Sequence, residues 1–176
     1  MKKNIISTLM ATSILLLSAH SFSKDGDINF VGEIIDNACQ VTTGSDAIKV
    51  VLGKVSKTTL SNAGSTAAAT KFTIQLENCP ATIKTATVKF DGASYNGNND
   101  VLQLTNSGAA DTAQNVGIQI QDVTGTTVPL YTASSEYTLK ESVVNNLDFT
   151  ARYIAMSDNV SVGKADSTAT FTINYN

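Results

Sequence analysis

The sequence has 176 residues, 42% of them hydrophobic, 15% charged and 6% aromatic, with 12 basic against 15 acidic side chains and a net charge of −3. That is room for one domain and its core, and the acidic balance does not suit a nucleic-acid surface. His20 is the one histidine; it falls in a leader, so the exported chain has no imidazole for a triad, a proton shuttle or a zinc site.

The leader is residues 1–23. Lys2 and Lys3 precede an apolar run from Ile5 to Leu17 and then small residues, the layout of a secretory signal peptide, too short to span a membrane. Small residues permit cleavage after Ser21 or after Ser23, and we favour Ser23. The chain then opens on Lys24 and almost at once enters an alternating segment, Gly26 to Ile35, in which Gly26, Ile28, Phe30 and Gly32 share one face. Residues 24–35 are read as an N-terminal extension and 36–176 as the domain.

Cys39 and Cys79 are the two cysteines. Export to an oxidising compartment makes an even pair a disulfide, and their spacing excludes a C-x-x-C redox motif. Beyond Cys39, period-two alternation dominates: Phe72, Ile74 and Leu76; Ala86, Val88 and Phe90; Val116, Ile118 and Ile120; Phe149, Ala151, Tyr153 and Ala155; Phe171, Ile173 and Tyr175. These sets predict strands with one buried face, and abundant threonine suits them. Breakers lie between them: a small, polar loop at Asn62–Thr70, Gly- and Asn-rich stretches at Asp91–Asp100 and Asn106–Gln114, and a hairpin turn at Thr124-Gly125. No long amphipathic helix follows the leader. The pattern predicts a single antiparallel β-sandwich whose terminal strands, at both ends, need a partner or remain open edges.

Chemistry-bearing motifs are weak. Ser161-Val162-Gly163-Lys164 matches S-x-x-K without the companion motifs of acyl enzymes. Asp91–Asp100 lacks EF-hand spacing, so it reads as a turn-rich loop. Asn159-Val160-Ser161 fits a glycosylation sequon and reads as surface loop. Arg152, the single arginine, reads as solvated or salt-bridged. No catalytic residue, metal site or cofactor is expected.

Several fragments together resemble the chaperone-usher pilins, in particular the major subunits of type 1 fimbriae. They are Gly26-Asp27-Ile28-Asn29-Phe30-Val31-Gly32-Glu33, Leu52-Gly53-Lys54-Val55, Phe72 to Cys79, Asn115 to Asp122 and Phe149 to Tyr153. The C-terminus adds a penultimate tyrosine, Tyr175, and Gly163 at the fourteenth position from the end.

The resemblance implies an incomplete immunoglobulin-like β-sandwich that lacks its last strand and is completed by a donor strand from another subunit. It implies that Gly26, Ile28, Phe30 and Gly32 form that donor strand. It further implies that Gly163, Phe171, Ile173, Tyr175 and Asn176 belong to the C-terminal element that meets a periplasmic chaperone and lines the groove. The implied partners are other copies of the chain, the chaperone, an outer-membrane usher and other pilins including a tip adhesin. The implied product is a fimbria on the bacterial surface, reached through the periplasm, that mediates adhesion. Within the family the alternative is a minor, adaptor or terminator subunit; from another class, a small exported glycan-binding module. The extension is short if cleavage follows Ser23, with only Lys24 and Asp25 before Gly26.

Overall fold

The computed structural model describes residues 26–32, 34 and 38–176; the leader, with both cleavage positions, lies outside them. Contacts divide the chain into two units, Met1–Ile34 and Ile35–Asn176. In the first, residues 26–32 and 34 form no strand, and Ile28 and Phe30 are 80% and 93% exposed. The alternating segment is therefore not a strand in the isolated chain over its described part, because a strand exists only through the hydrogen bonds of a neighbour.

The second unit is two stacked sheets. The larger has six strands in the order β1 (Gln40–Val41), β2 (Thr66–Glu77), β8 (Asn145–Ala155), β6 (Val116–Gln121), β5 (Asn98–Leu102) and β4 (Ser94–Tyr95). The smaller has three, in the order β7 (Tyr137–Thr138), β3 (Thr85–Asp91) and β9 (Thr170–Tyr175). Every paired strand is antiparallel. A single short 3-10 turn, Lys57–Leu60, is the helical element among the described residues; Ser56 caps it by accepting the Thr58 N–H.

The core is the inner row of each alternating set. Ile74 and Leu76 of β2, Leu147 and Phe149 of β8, and Ala86 and Val88 of β3 are buried. Phe149 joins the sheets: its ring lies 5.6 Å from Phe72 and Tyr137 and packs edge-on to Phe90 at 5.0 Å. Such a cluster contributes beyond its buried area. Cys39 and Cys79 form a disulfide across 40 residues, which in the chain-entropy picture stabilises the fold by about 4 kcal/mol.

Three local expectations change. Strand β2 begins at Thr66, inside the expected Asn62–Thr70 loop, because a bulge between Ala67 and Thr70 absorbs the break in alternation, with Ala68 at φ +56°. The Asp91–Asp100 stretch contains the β4–β5 hairpin, turned by Asn96 and Gly97, both at positive φ. Arg152 is held by a side-chain amide instead of lying free or in an ion pair: its Nε and Nη2 donate to Gln119 Oε1, at 3.0 and 2.6 Å, across the β6–β8 ladder.

Candidate strand-acceptor edge

Two sheets present four edges. Three end in two-residue strands, β1, β4 and β7, which offer an incoming chain few ladder bonds. The fourth is β9, six residues long, bonded to β3 on one side and to no strand on the other among the described residues.

The side chains of β9 alternate with the pleat. Thr170, Thr172 and Asn174 are exposed; Phe171, Ile173 and Tyr175 face the core and are only half-buried. Their Cα partners on β3 are Phe90, Val88 and Ala86, which lie on the same face and are fully buried. Composition does not explain the contrast, since the larger side chains are the more exposed. The inward row of β9 is walled by β3 on one side and, among the described residues, by no strand on the other.

A second row of the same kind runs through residues 48–55, which join no sheet. Ile48, Val50, Leu52 and Val55 pack half-buried against the core, and Lys49, Val51 and Gly53 between them are exposed. Two apolar rows thus rest half-buried on one core, β9 with a ladder on one side and residues 48–55 with none.

The end of β9 is pinned. Tyr175 Oη donates to the Cys39 carbonyl at 3.2 Å, tying the last strand to the disulfide, and burial pushes the tyrosine pKa up. The Asn176 N–H donates to the Thr85 carbonyl at 3.0 Å, and the Asn176 carbonyl accepts from the Lys84 and Thr85 N–H groups. Phe171, Ile173, Tyr175 and Asn176 therefore come together on one edge.

Gly163 does not join them. It precedes β9 in a segment laid against the 106–115 loop, where a Cβ would collide with the backbone of Thr112 and Ala113. The Lys164 N–H donates to the Asp111 carbonyl at 2.7 Å, the Ala113 N–H donates to the Lys164 carbonyl at 2.9 Å, and Lys164 Nζ pairs with Asp111 at 2.8 Å. The glycine is required by close backbone approach at the entry to the last strand, not by the edge itself. Ser161 Oγ accepts from the Gln114 N–H at 2.8 Å, so the S-x-x-K residues hold two loops together.

The alternation, the disulfide and the open C-terminal strand coincide with a known family. The model of that family, described as fimbrial protein, matches residues 28–176. The chain belongs to the fimbrial protein family. Among its curated relatives, the S-fimbrial protein subunit of Escherichia coli O6:K15:H31 is 38% identical, with 99% of each chain covered. The type-1 fimbrial protein A chain of Escherichia coli K12 is also 38% identical, over 97% of this pilin and 94% of the relative.

Solved structures share the fold. A type I fimbria protein of Burkholderia pseudomallei is 38% identical with a TM-score of 0.60, covering 84% of this pilin and 96% of that chain. The P pilus rod subunit has a TM-score of 0.67 at 24% identity, covering 80% and 100%. The pilin fold is thus the immunoglobulin-like sandwich that lacks a strand, and the family is one of structural subunits.

Proposed function

We propose that this chain is a structural pilin that polymerises by donor-strand exchange, the extension at residues 24–35 of one copy filling the open side of β9 in the next. The family membership supports a subunit exported through the periplasm and assembled into a surface fimbria for adhesion. The observation that carries the mechanism is β9: a six-residue edge whose Phe171, Ile173 and Tyr175 are half-buried while their β3 partners are closed in. An added strand would gain ladder hydrogen bonds along β9 and cover the apolar row with its own alternate side chains.

Ile28 and Phe30 supply those side chains. Both are exposed in the isolated chain, and burying them is worth about 3–6 kcal/mol per junction before ordering costs. Gly26 and Gly32, on the same face, allow close backbone approach. An arm entering another copy's edge is a heterologous contact, which builds open filaments. Before assembly a periplasmic chaperone covers the same edge and contacts the carboxylate of Asn176, and an outer-membrane usher receives the subunit. The chain works by assembly, without chemistry of its own.

The test is thermal melting of residues 36–176, refolded with the disulfide, with and without a peptide of residues 24–35. A large upward shift with peptide, or folding only in its presence, supports strand donation. A stable, cooperative melt that the peptide leaves unmoved means the sandwich is already complete.

A further inference from the structure

The loop that leads into β8 is apolar where turns are ordinarily built from Gly, Pro, Asn, Asp and Ser. Residues 139–144 connect β7 to β8, and their last two side chains are adjacent valines, Val143 and Val144, 48% and 51% exposed. The loop is clamped from within. Asn145 is buried; its Nδ2 donates to the Lys140 carbonyl at 2.9 Å and the Val143 carbonyl at 3.1 Å, and its Oδ1 accepts from the Lys140 N–H at 2.7 Å. Ser142 is held at φ +58°. The two valines are thus presented to water on a fixed backbone.

The strand register shows what stands beside them. Gln40 of β1 pairs with Glu77 of β2, and Asn145 of β8 pairs with Leu76, so Cys39 and Val144 each lie one residue outside the large sheet at the same end. Only β2 separates them, two strand spacings or about 10 Å. Asn145 Nδ2 also reaches Cys79 Sγ at 3.5 Å, and Cys79 is bonded to Cys39. The valine loop is therefore fastened to the root of this chain's own arm. Seven Cα–Cα steps separate Gly32, the last inward residue of the arm, from Cys39, a reach of at most about 25 Å. The eleven residues of β8 span about 36 Å, so the tether is shorter than the body it joins. A copy that holds the arm has its own body against this end.

The same end is not taken by the arm that this copy receives. All strand pairs of both sheets are antiparallel, the slightly more stable pairing. An arm added antiparallel to β9 leaves the groove at Thr170, whereas Cys39 lies at the Tyr175 end, where it accepts the tyrosine hydroxyl. The body that donates to β9 and the body that receives this chain's arm therefore lie at opposite ends of the molecule.

We propose that Val143 and Val144 are an inter-subunit contact, packing on the folded body of the copy that receives this chain's arm. This rests on the strand-donation reading and adds a second contact to it, body on body at the root of the arm. The occupant is a second copy of this chain, because the tether that places the arm in its groove also brings its surface to this loop.

Fibres of the full chain carrying Val143→Thr and Val144→Thr are compared with wild type for dissociation in hot detergent. In parallel, the same pair is placed in the full chain disabled for donation by Phe30→Asp, filled with a peptide of residues 24–35 and melted as a single subunit. Threonine keeps the branched shape, and exposed substitutions of this kind leave a fold nearly as stable as before. The expected result is fibre dissociation about tenfold faster, the scale of two half-covered valines made polar, with the single subunit melting together with its valine parent. Wild-type dissociation rates, or an equal loss in the single subunit, overturn the proposal. Fibres formed by Phe30→Asp alone would instead remove strand donation by this arm, a failure recognisable without the valines.

A measurement on the unaltered loop covers a variant that forms no fibres. Hydroxyl-radical footprinting with peptide mapping should find Val143 and Val144 oxidised in the peptide-filled single subunit and protected in wild-type fibres. Equal oxidation in both overturns the proposal, and so does protection that appears on the chaperone-bound subunit and is absent from fibres, which would assign the loop to the chaperone.

Discussion

Strands β8 and β9 carry nearly the same message and have different fates. Phe149, Ala151 and Tyr153 alternate on one as Phe171, Ile173 and Tyr175 do on the other. Strand β8 lies between β2 and β6, and its inner row is buried, Phe149 at 1% exposure and Tyr153 at 8%. Among the described residues strand β9 has β3 on one side alone, and its inner row stays half-open. Even the tyrosines match in habit, Tyr153 Oη donating to the Ala165 carbonyl and Tyr175 Oη to the Cys39 carbonyl, each at 3.2 Å. Apolar alternation thus states what a strand can bury; the number of neighbours decides what it does bury.

The widest gap should come from truncating the two phenylalanines. Phe149→Ala should cost about 3–5 kcal/mol in urea unfolding of the single subunit, and Phe171→Ala about 1–2 kcal/mol, in proportion to its partial burial. In assembled fibres the second variant should become the more damaging for dissociation. Equal losses in the single subunit would erase the distinction between the strands.

Next is the anchor that both cysteines provide at the end of β9. Replacing the pair by serine should lower the unfolding free energy by about 4 kcal/mol under oxidising conditions, and an unchanged urea midpoint would show that the bridge closes a loop already held. Tyr175→Phe sharpens the same point, removing the hydroxyl bond to Cys39 for about 1 kcal/mol. Calorimetry of the oxidised subunit reads that difference.

The smallest expected effect lies far from the edge, in the β6 hairpin turn. Burial alone would raise the pKa of Asp122; hydrogen bonds from the Thr124 and Ser135 side chains and the Thr126 and Thr124 N–H groups outweigh it and hold the carboxyl below 3.8. A lowered folded pKa means the stabilisation is intact above pH 3.8 and drains away as pH falls through the folded value. A shallow fall of melting temperature in that acid window should therefore appear in wild type and flatten in Asp122→Asn. A wild-type slope retained by the variant would assign the effect to other carboxylates.

Much of this was legible in the sequence because period-two alternation survives where a strand is straight. The inner rows of β2, β3, β6, β8 and β9, and the cysteine pairing, stand as read. What alternation hides is a change of phase: the bulge at Ala67 and Thr70 adds a residue, and the alanines around it give no hydrophobic contrast, so the start of β2 read as loop. The row at residues 48–55 lacks a ladder of its own and shows its two-residue rhythm only in partial burial. The family resemblance puts Gly163 with the C-terminal element by its distance from the C-terminus. Its collision with Thr112 and Ala113 depends on a loop fifty residues earlier, which no local pattern encodes. The Arg152–Gln119 pair likewise needed the register of two distant strands.

Among the described residues, three of the four sheet edges end in two-residue strands, and β9 ends the fourth with six. A two-residue strand offers an incoming chain few ladder bonds, so β1, β4 and β7 steer growth toward the edge whose inner row is half-open. The brevity of those three strands matters to a fibre as the length of β9 does, because it separates a thread from a clot.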